Sequence, residues 1–443
     1  MQDNNLYPRF LHSRLEHMLS WSSVVLISGP RQSGKTTFCK QFQAYNESVK
    51  NYEYFTFDDP STVEFATEDP VRFVEQLPTY AILDEVQLVP SIFRLLKLSV
   101  DNNRIPGRLI LTGSAEFSLM TELADAMVGR MNLLSLYPLS QNELRSKPTT
   151  KTKTQNTSPS STDSQFPRVS SLFLANLFDQ KISYNSEVHN RMGPQLAKLV
   201  VAGGYPKPQG LDFSDQVVWF RDYIGITARR DIKALTSIRR VELIPQLIEV
   251  AAAYTSQLFN LSDLASSLTL SRNTISEYIA LLQNLFILSY IPVWSKHRLK
   301  RSVKAPKLHF VDTGLACAFL DLDFEELWDD RKLFGHMAET FVLQELIKQS
   351  SWLGGRFSFY HYRDRDKSEV DIVIEKSGQG VVAIEVKTRA IVRDTDFRHL
   401  QKLRDNTDKF IAGVVLYDGQ WTRSFGEKLF AIPISSLWEF IDN

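Results

Sequence analysis

Short apolar runs punctuate the first third of the chain, and each ends in polar residues or glycine. Val24-Val25-Leu26-Ile27 runs into Ser28-Gly29, Ala81-Ile82-Leu83 into Asp84-Glu85, and Leu109-Ile110-Leu111 into Thr112-Gly113-Ser114. Uninterrupted runs of this length suit strands covered on both faces. Their alternation with helical stretches predicts a parallel sheet in an α/β core over residues 1–145. The pattern then stops: residues 146–168 are rich in Ser, Thr, Lys and Pro and nearly devoid of apolar side chains. Such a stretch cannot bury enough surface to offset the entropy of ordering, which predicts a disordered linker.

Residues 169–330 read as mostly helical. A helix over 261–268, a turn at Thr269-Leu270-Ser271 and a second helix over 272–284, with Ile275, Ile279 and Leu282 on its apolar face, form a helix-turn-helix pattern. Strands over 287–294 and 307–311 enclose a loop carrying Lys296, Arg298, Lys300, Arg301 and Lys304, the layout of a winged helix. Arg272, Asn273, Thr274 and Ser276 fall where a recognition helix meets base edges, and the wing cations where phosphates lie, so DNA is the expected partner. A module of this shape also serves as a packing unit, and that reading stays open. The longest apolar stretch, 278–294, is interrupted by Gln283, Asn284 and Pro292; it predicts a core helix running into a strand and no membrane span.

Beyond residue 331 a helix is expected over 335–349, followed by alternating strands over 369–375 and 381–387 joined by Lys376-Ser377-Gly378-Gln379-Gly380. If Glu375 pairs with Val381, Asp371 lies opposite Glu385, and Asp371, Glu385 and Lys387 project from one face. Facing carboxylates repel unless a cation lies beside them; a magnesium ion or Lys387 could supply it. Glu339 sits on the apolar stripe of the preceding helix, in line with Val342, Leu343 and Leu346. A carboxylate there is costly unless paired. The set Glu339, Asp371 and Glu385-x-Lys387 resembles the PD-(D/E)xK nuclease site, in which carboxylates bind magnesium and the lysine supports the attacking water. Val370 stands where that pattern often has proline. A merely acidic hairpin face, or a nuclease fold without activity, would read the same way.

Composition adds limits more than positive signals. The 443 residues hold 51 basic and 51 acidic side chains, so any nucleic-acid contact must come from a local patch. Cys39 and Cys317 lack metal-ligand spacing, and Met1-Gln2-Asp3-Asn4-Asn5 lacks a signal pattern; both favour a cytoplasmic setting.

The most specific chemistry lies at residues 29–37. Gly29-Pro30-Arg31-Gln32-Ser33-Gly34-Lys35-Thr36-Thr37 follows the first apolar run and has the G-x-x-x-x-G-K-T spacing of a phosphate loop. Backbone N–H groups would cradle a pyrophosphate at a helix N-terminus, Lys35 would reach the β/γ-phosphates, and Thr36 would hold magnesium. Asp84 would bind the same ion and Glu85 polarise the attacking water, with the hydroxyls that end the third run, Thr112 and Ser114, orienting that water. Arg130 is read as a γ-phosphate sensor or, from an adjacent subunit of a homo-oligomer, as an arginine finger. A helix cap at the acidic pair and structural roles for Ser114 and Arg130 are the plain alternatives.

Taken together the chain resembles prokaryotic AAA-type ATPases with a C-terminal domain of unknown function containing a winged helix and a restriction-endonuclease-like tail. Besides the motifs above, the resemblance rests on Tyr137-Pro138-Leu139-Ser140 with Glu143, Gly203-Gly204-Tyr205-Pro206, Arg230-Asp231 and Asp312-x-Gly314-Leu315. It implies ATP and Mg2+ at Lys35, Thr36 and Asp84 with Glu85 as base. The implied domains are an ATPase core at 1–145, a helical domain with a winged helix at 169–330 and a nuclease-like domain at 331–443. The expected function is an ATP-hydrolysing switch or motor acting on DNA; the alternative is a nucleotide-gated interaction protein with negligible turnover.

Overall fold

The computed structural model describes residues 6–46, 50–114, 127–146, 172–182, 189–227, 241–268, 270–296, 301 and 305–439. All but the first residue of the predicted linker 146–168, the pair Arg230-Asp231 and the wing residues Arg298, Lys300 and Lys304 lie outside them. The chain forms two compact units, one built on residues up to Leu139 and one on most of the chain from Ser140 onward.

The first unit is a five-stranded parallel sheet: β1 (Val24–Ser28), β2 (Glu53–Thr56), β3 (Ala81–Asp84), β4 (Leu109–Gly113) and β5 (Met131–Ser135), in the order β2-β3-β4-β1-β5. Every residue of β1, β3 and β4 is buried, as their unbroken apolar runs require. Val24, Leu26, Leu83 and Leu111 pack with Phe57, Phe73, Ile92 and Leu96 to form the core. The register sets Val24 against Leu109 and Met131, and Ser28 against Gly113 and Ser135. The polar ends of β1, β3 and β4 therefore converge on one edge of the sheet, where ligands of open α/β sheets bind.

The second unit holds two sheets. β6 (Gln257–Leu258), β7 (Leu288–Ile291) and β8 (Lys307–Phe310) form an antiparallel sheet ordered β6-β8-β7, preceded or interleaved by helices Ile244–Ala253, Leu261–Leu268 and Arg272–Asn284. β9 (Phe357–Arg363), β10 (Glu369–Lys376), β11 (Gly380–Lys387), β12 (Phe410–Tyr417), β13 (Arg423–Ser424) and β14 (Leu429–Pro433) form a mixed sheet ordered β13-β14-β12-β11-β10-β9. Here β9, β10 and β11 are successive antiparallel neighbours, while β12 runs parallel to β11. Glu375 pairs with Val381 as expected, and the ladder continues to Lys376 and Gly380, leaving a turn of Ser377, Gly378 and Gln379.

The helix expected over 335–349 runs from Arg331 to Trp352, started by Asp330, whose carboxylate accepts from Lys332 N and Leu333 N. It is buried on more than one face, and its polar residues are matched individually. Gln344 Nε2 donates to Phe310 O (2.7 Å), Gln349 Nε2 to Leu437 O (2.6 Å), and Glu345 accepts from Gln141 N (2.9 Å) and Lys348 Nζ (2.9 Å). That contact places the helix Gln141–Arg145 in the second unit although it falls within the 1–145 stretch. Ser140 and Glu143, part of one short motif, form its capping box. The Gly203-Gly204 and Asp312-x-Gly314 motifs meet. Asp312 accepts from Gly204 N (2.7 Å) and caps Leu315 N (3.2 Å), and a Cβ at Gly203, whose φ is +61°, would stand 2.3 Å from Asp312 Oδ1.

Candidate functional site

At the converging edge of the first sheet, residues 29–34 turn from β1 into the helix Lys35–Asn46. Lys35 is 4% exposed, and its Nζ donates to Gly29 O and Pro30 O, both at 3.0 Å. Burial lowers its pKa, partly offset by Glu85 and Asp84. A Cβ at Gly29 would lie 2.1 Å from Leu136 O, so only glycine lets this loop pass the segment after β5. Thr36 Oγ1 donates to Asp84 Oδ2 at 2.8 Å, bringing the two predicted magnesium ligands together.

Two further hydroxyls meet Asp84: Tyr54 from β2 at 2.5 Å on Oδ2, and Thr112 from β4 on Oδ1. Burial and the bond to Asp84 push the Tyr54 phenol up. Glu85 leaves β3 in a left-handed conformation (φ 59°), fixed by its N–H on Thr112 Oγ1 (2.9 Å). Gln87 Nε2 contacts Glu85 Oε2 and also donates to Ser114 Oγ at 3.1 Å, linking the predicted base with the predicted water-orienting hydroxyl. Sequence reasoning assigned no role to Tyr54, Gln87 or Arg9, and it read the Thr112 hydroxyl as facing water and not Asp84. The buried Arg9 guanidinium ties the phosphate loop to the chain after β5, donating to Ser33 O (2.8 Å) and Tyr137 O (2.6 Å). Arg31, Gln32, Ser33 and Thr37 complete the loop and the first helical turn around these groups.

Arg130 lies elsewhere. It precedes Met131, which sits opposite the start of β1, so a strand length of roughly 16 Å separates it from the phosphate loop. It is held by Asp101 at 2.6 and 2.9 Å. This corrects the reading of Arg130 as a sensor of its own nucleotide; the reading from a neighbouring subunit and the plain structural role both stay open, and the Asp101 ion pair fits the latter.

A second acidic cluster lies in the second unit. Glu339, Asp371 and Glu385 do come together there, but with a partner the sequence did not single out. Lys307, 2% exposed at the start of β8, places Nζ 2.9 Å from Glu339 Oε1, 2.7 Å from Glu369 Oε1 and 3.7 Å from Asp371 Oδ1. Glu339 Oε2 also accepts from Ser256 Oγ (2.8 Å), Asp371 Oδ2 from Val386 N (2.9 Å), and Glu385 Oε2 from Lys387 Nζ (2.8 Å).

Burial alone would lower the Lys307 ammonium, but Glu339, Asp371 and Glu369 together outweigh it and hold its pKa up. Burial, with Asp371 nearby, pushes Glu339 up to about 8 and Glu385 well above the usual carboxylate range. For Asp371, Lys307, Lys387 and the Val386 N–H outweigh burial and keep its pKa low. Among the described residues no group of three or more His, Cys, Asp or Glu side chains is disposed to hold a metal ion. The divalent ion expected at Glu339, Asp371 and Glu385 does not fit this arrangement, because an ammonium stands among the carboxylates.

Two wing cations are also committed. Arg301 bonds Glu375 (2.8 Å), Ser295 O (2.7 Å) and Tyr360 Oη (2.9 Å), and Lys296 bonds Asp408 (2.8 Å). The expectation that Arg301 meets phosphate is corrected: its side chain is 13% exposed and faces β9 and β10. On the predicted recognition helix Arg272, Asn273 and Ser276 are exposed, while Ile275, Tyr278 and Ile279 are buried. Cys39 and Cys317 are buried free thiols. Among the described residues no helix is long and apolar enough to cross a membrane.

Residues 22–145 match the family model of an AAA domain. Residues 193–326 and 334–437 match two domains of unknown function, DUF8612 and DUF4143. Uncharacterized proteins of Mycobacterium tuberculosis and Mycobacterium bovis are each 25% identical over 370 residues, covering 83% of this chain and 71% of theirs. One from Haemophilus influenzae is 24% identical over 314 residues, covering 66% of this chain and 68% of its own. Among solved structures, AMPPCP-bound DnaA from Aquifex aeolicus aligns with a TM-score of 0.27 at 12% identity, over 62% of this chain and 85% of that one. C. elegans PCH-2 aligns with a TM-score of 0.25 at 14% identity, over 63% and 71%. The phosphate loop on a five-stranded parallel sheet, with the AAA-domain match, makes the first unit a P-loop AAA-type ATPase domain, a nucleotide-binding fold.

Proposed function

We propose that this chain is an ATP-hydrolysing switch or motor that acts on DNA through its second unit. The observation that carries the first half is the Thr36–Asp84 bond at 2.8 Å beside the buried Lys35. A hydroxyl and a carboxylate that already share a proton contact form the donor set a hydrated magnesium ion takes between a phosphate loop and an acidic strand. Mg2+ bound with ATP would neutralise charge on the phosphates. Lys35 would exchange its two carbonyl acceptors for β/γ-phosphate oxygens, and Thr36 and Asp84 would hold the ion. Glu85, steadied by Gln87 and Thr112, would polarise the attacking water, with Ser114 within reach of the same amide. Arg130 would complete the site of a neighbouring subunit in a homo-oligomer.

The DNA half rests on topology and exposure. Helix Ile244–Ala253, β6, helices Leu261–Leu268 and Arg272–Asn284, then β7 and β8 ordered β6-β8-β7, follow the plan of a winged helix with Arg272, Asn273 and Ser276 outward. The order of helix Arg331–Trp352, β9, β10, β11, helix Arg398–Asp405 and β12 supports a nuclease-like fold for the tail. Lys307 within its carboxylates favours a second reading of that tail, as a binding module without metal-dependent cleavage.

The test is ATP turnover with and without duplex DNA, beside Glu85→Gln. The variant should bind ATP and hydrolyse it at least ~100-fold more slowly, the scale of losing a general base; unchanged turnover sinks the assignment. Arg298→Ala with Lys300→Ala should lower the salt dependence of DNA binding by about two in log–log slope. Absence of salt-sensitive binding in the parent chain would leave a nucleotide-gated interaction protein.

A further inference from the structure

We infer that Lys307 is a resident counter-cation that takes the place of a divalent ion in the carboxylate cluster of the second unit, and that it excludes such an ion. The inference rests on the nuclease-like reading of that cluster. Lys307 belongs to β8, all four of whose residues are buried, and its side chain crosses to three carboxylates on two other elements, the helix Arg331–Trp352 and β10. An ammonium has three donors and a compact charge, and here it lies within ion-pair distance of Glu339, Glu369 and Asp371 at once.

Three further oxygens are engaged as well, Glu339 Oε2 by Ser256, Asp371 Oδ2 by the Val386 N–H and Glu385 Oε2 by Lys387, which leaves Glu385 Oε1 as the buried carboxylate oxygen of the set without a hydrogen-bond partner. A magnesium ion needs near-octahedral oxygens at about 2.1 Å and keeps much of its water shell. It would have to share Asp371 and Glu339 with an ammonium a few ångströms away, a like-charge contact beside a lysine whose side chain is only 3% exposed. Withdrawing Lys307 instead would strip a buried cation of its partners. Because β8 belongs to the three-stranded sheet, the same ion pairs also tie that sheet to the tail. The cluster is thus a charged joint, and the tail acts by binding rather than by metal-dependent cutting.

The experiment is a Mn2+ titration of the full chain, followed by electron paramagnetic resonance, in an Asp84→Asn background that silences the phosphate-loop ion. The Lys307-containing chain should show no Mn2+ site that Asp371→Asn removes. Lys307→Met should gain one, at least ~10-fold tighter than any binding before the change, and Asp371→Asn should abolish it. A Mn2+ site at Asp371 with Lys307 in place overturns the inference while leaving the nuclease-like reading intact. No site in either chain overturns both, since the cluster would then not be shaped for a metal. Should Lys307→Met fail to fold, Lys307→Gln is the second variant, and the titration with Lys307 in place still decides.

Discussion

Two carboxylate clusters in one chain differ in what stands beside them. Asp84 is met by three hydroxyls, from Thr36, Tyr54 and Thr112, all neutral donors that a hydrated cation could replace. Asp371 lies 3.7 Å from the Lys307 ammonium, with Glu339 and Glu369 closer still to the same nitrogen. In the first cluster the chain's own cation, Lys35, is bonded to the loop carbonyls of Gly29 and Pro30, whereas in the second a lysine is bonded to the carboxylates themselves. Acidic residues brought together by the fold therefore do not by themselves define a metal site; the charge of the groups that close around them does.

The sharpest way to break this contrast is to remove one residue from each side. Lys35→Ala should abolish ATP binding by calorimetry, because it deletes the cation for the β/γ-phosphates, whereas Asp371→Ala should leave ATP affinity unchanged. Loss of ATP binding in Asp371→Ala would mean that the clusters do not act separately. Next in size is the external cation of the first cluster. Arg130→Ala should slow hydrolysis by as much as ~1,000-fold, the scale of an arginine finger, and mixing it with Lys35→Ala chains should restore part of the rate. Full activity in a strictly monomeric protein excludes that role.

The smallest effect is a pH signature of the second cluster. Burial, with Lys307 nearby, lowers the His361 pKa from 6.5 to about 4. A base with a depressed folded-state pKa binds more protons when unfolded, so its stabilisation is present above pH 6.5 and fades as pH falls towards 4. The loss amounts to at most about 3 kcal/mol. Glu339, pushed up to about 8, contributes the opposite slope, losing stabilisation as pH rises from 4.5. The comparison to make is thus His361→Gln against the unsubstituted chain by urea unfolding between pH 5 and 7. A flatter acid limb in the variant is expected, and an identical one would show that the His361 pKa does not differ between the folded and unfolded chain.

Legibility in the sequence followed the locality of each interaction. The phosphate loop was readable because its spacing is dictated by backbone curvature over eight residues, and the Glu375–Val381 register because a short hairpin fixes it. Tyr54, Arg9 and the bond of Thr112 to Asp84 were not readable, since each side chain reaches its partner across a strand neighbour or a sheet edge. Arg301 was misread because a basic loop residue looks the same in sequence whether it faces solvent or, as here, Glu375 and Tyr360.

The sequence by itself determined the parallel strand runs, the phosphate loop, the acidic strand end and the facing of Asp371 towards Glu385, all products of local spacing and side-chain alternation. Only the tertiary structure decided the charge environment of those groups. Lys307 lies 32 positions before Glu339 and 64 before Asp371, so no periodicity links them, and their meeting depends on how β8 packs against the helix Arg331–Trp352 and β10. Electrostatic energy falls with distance in space and not along the chain, and for that reason the fold alone settled which carboxylates were left for a cation to find.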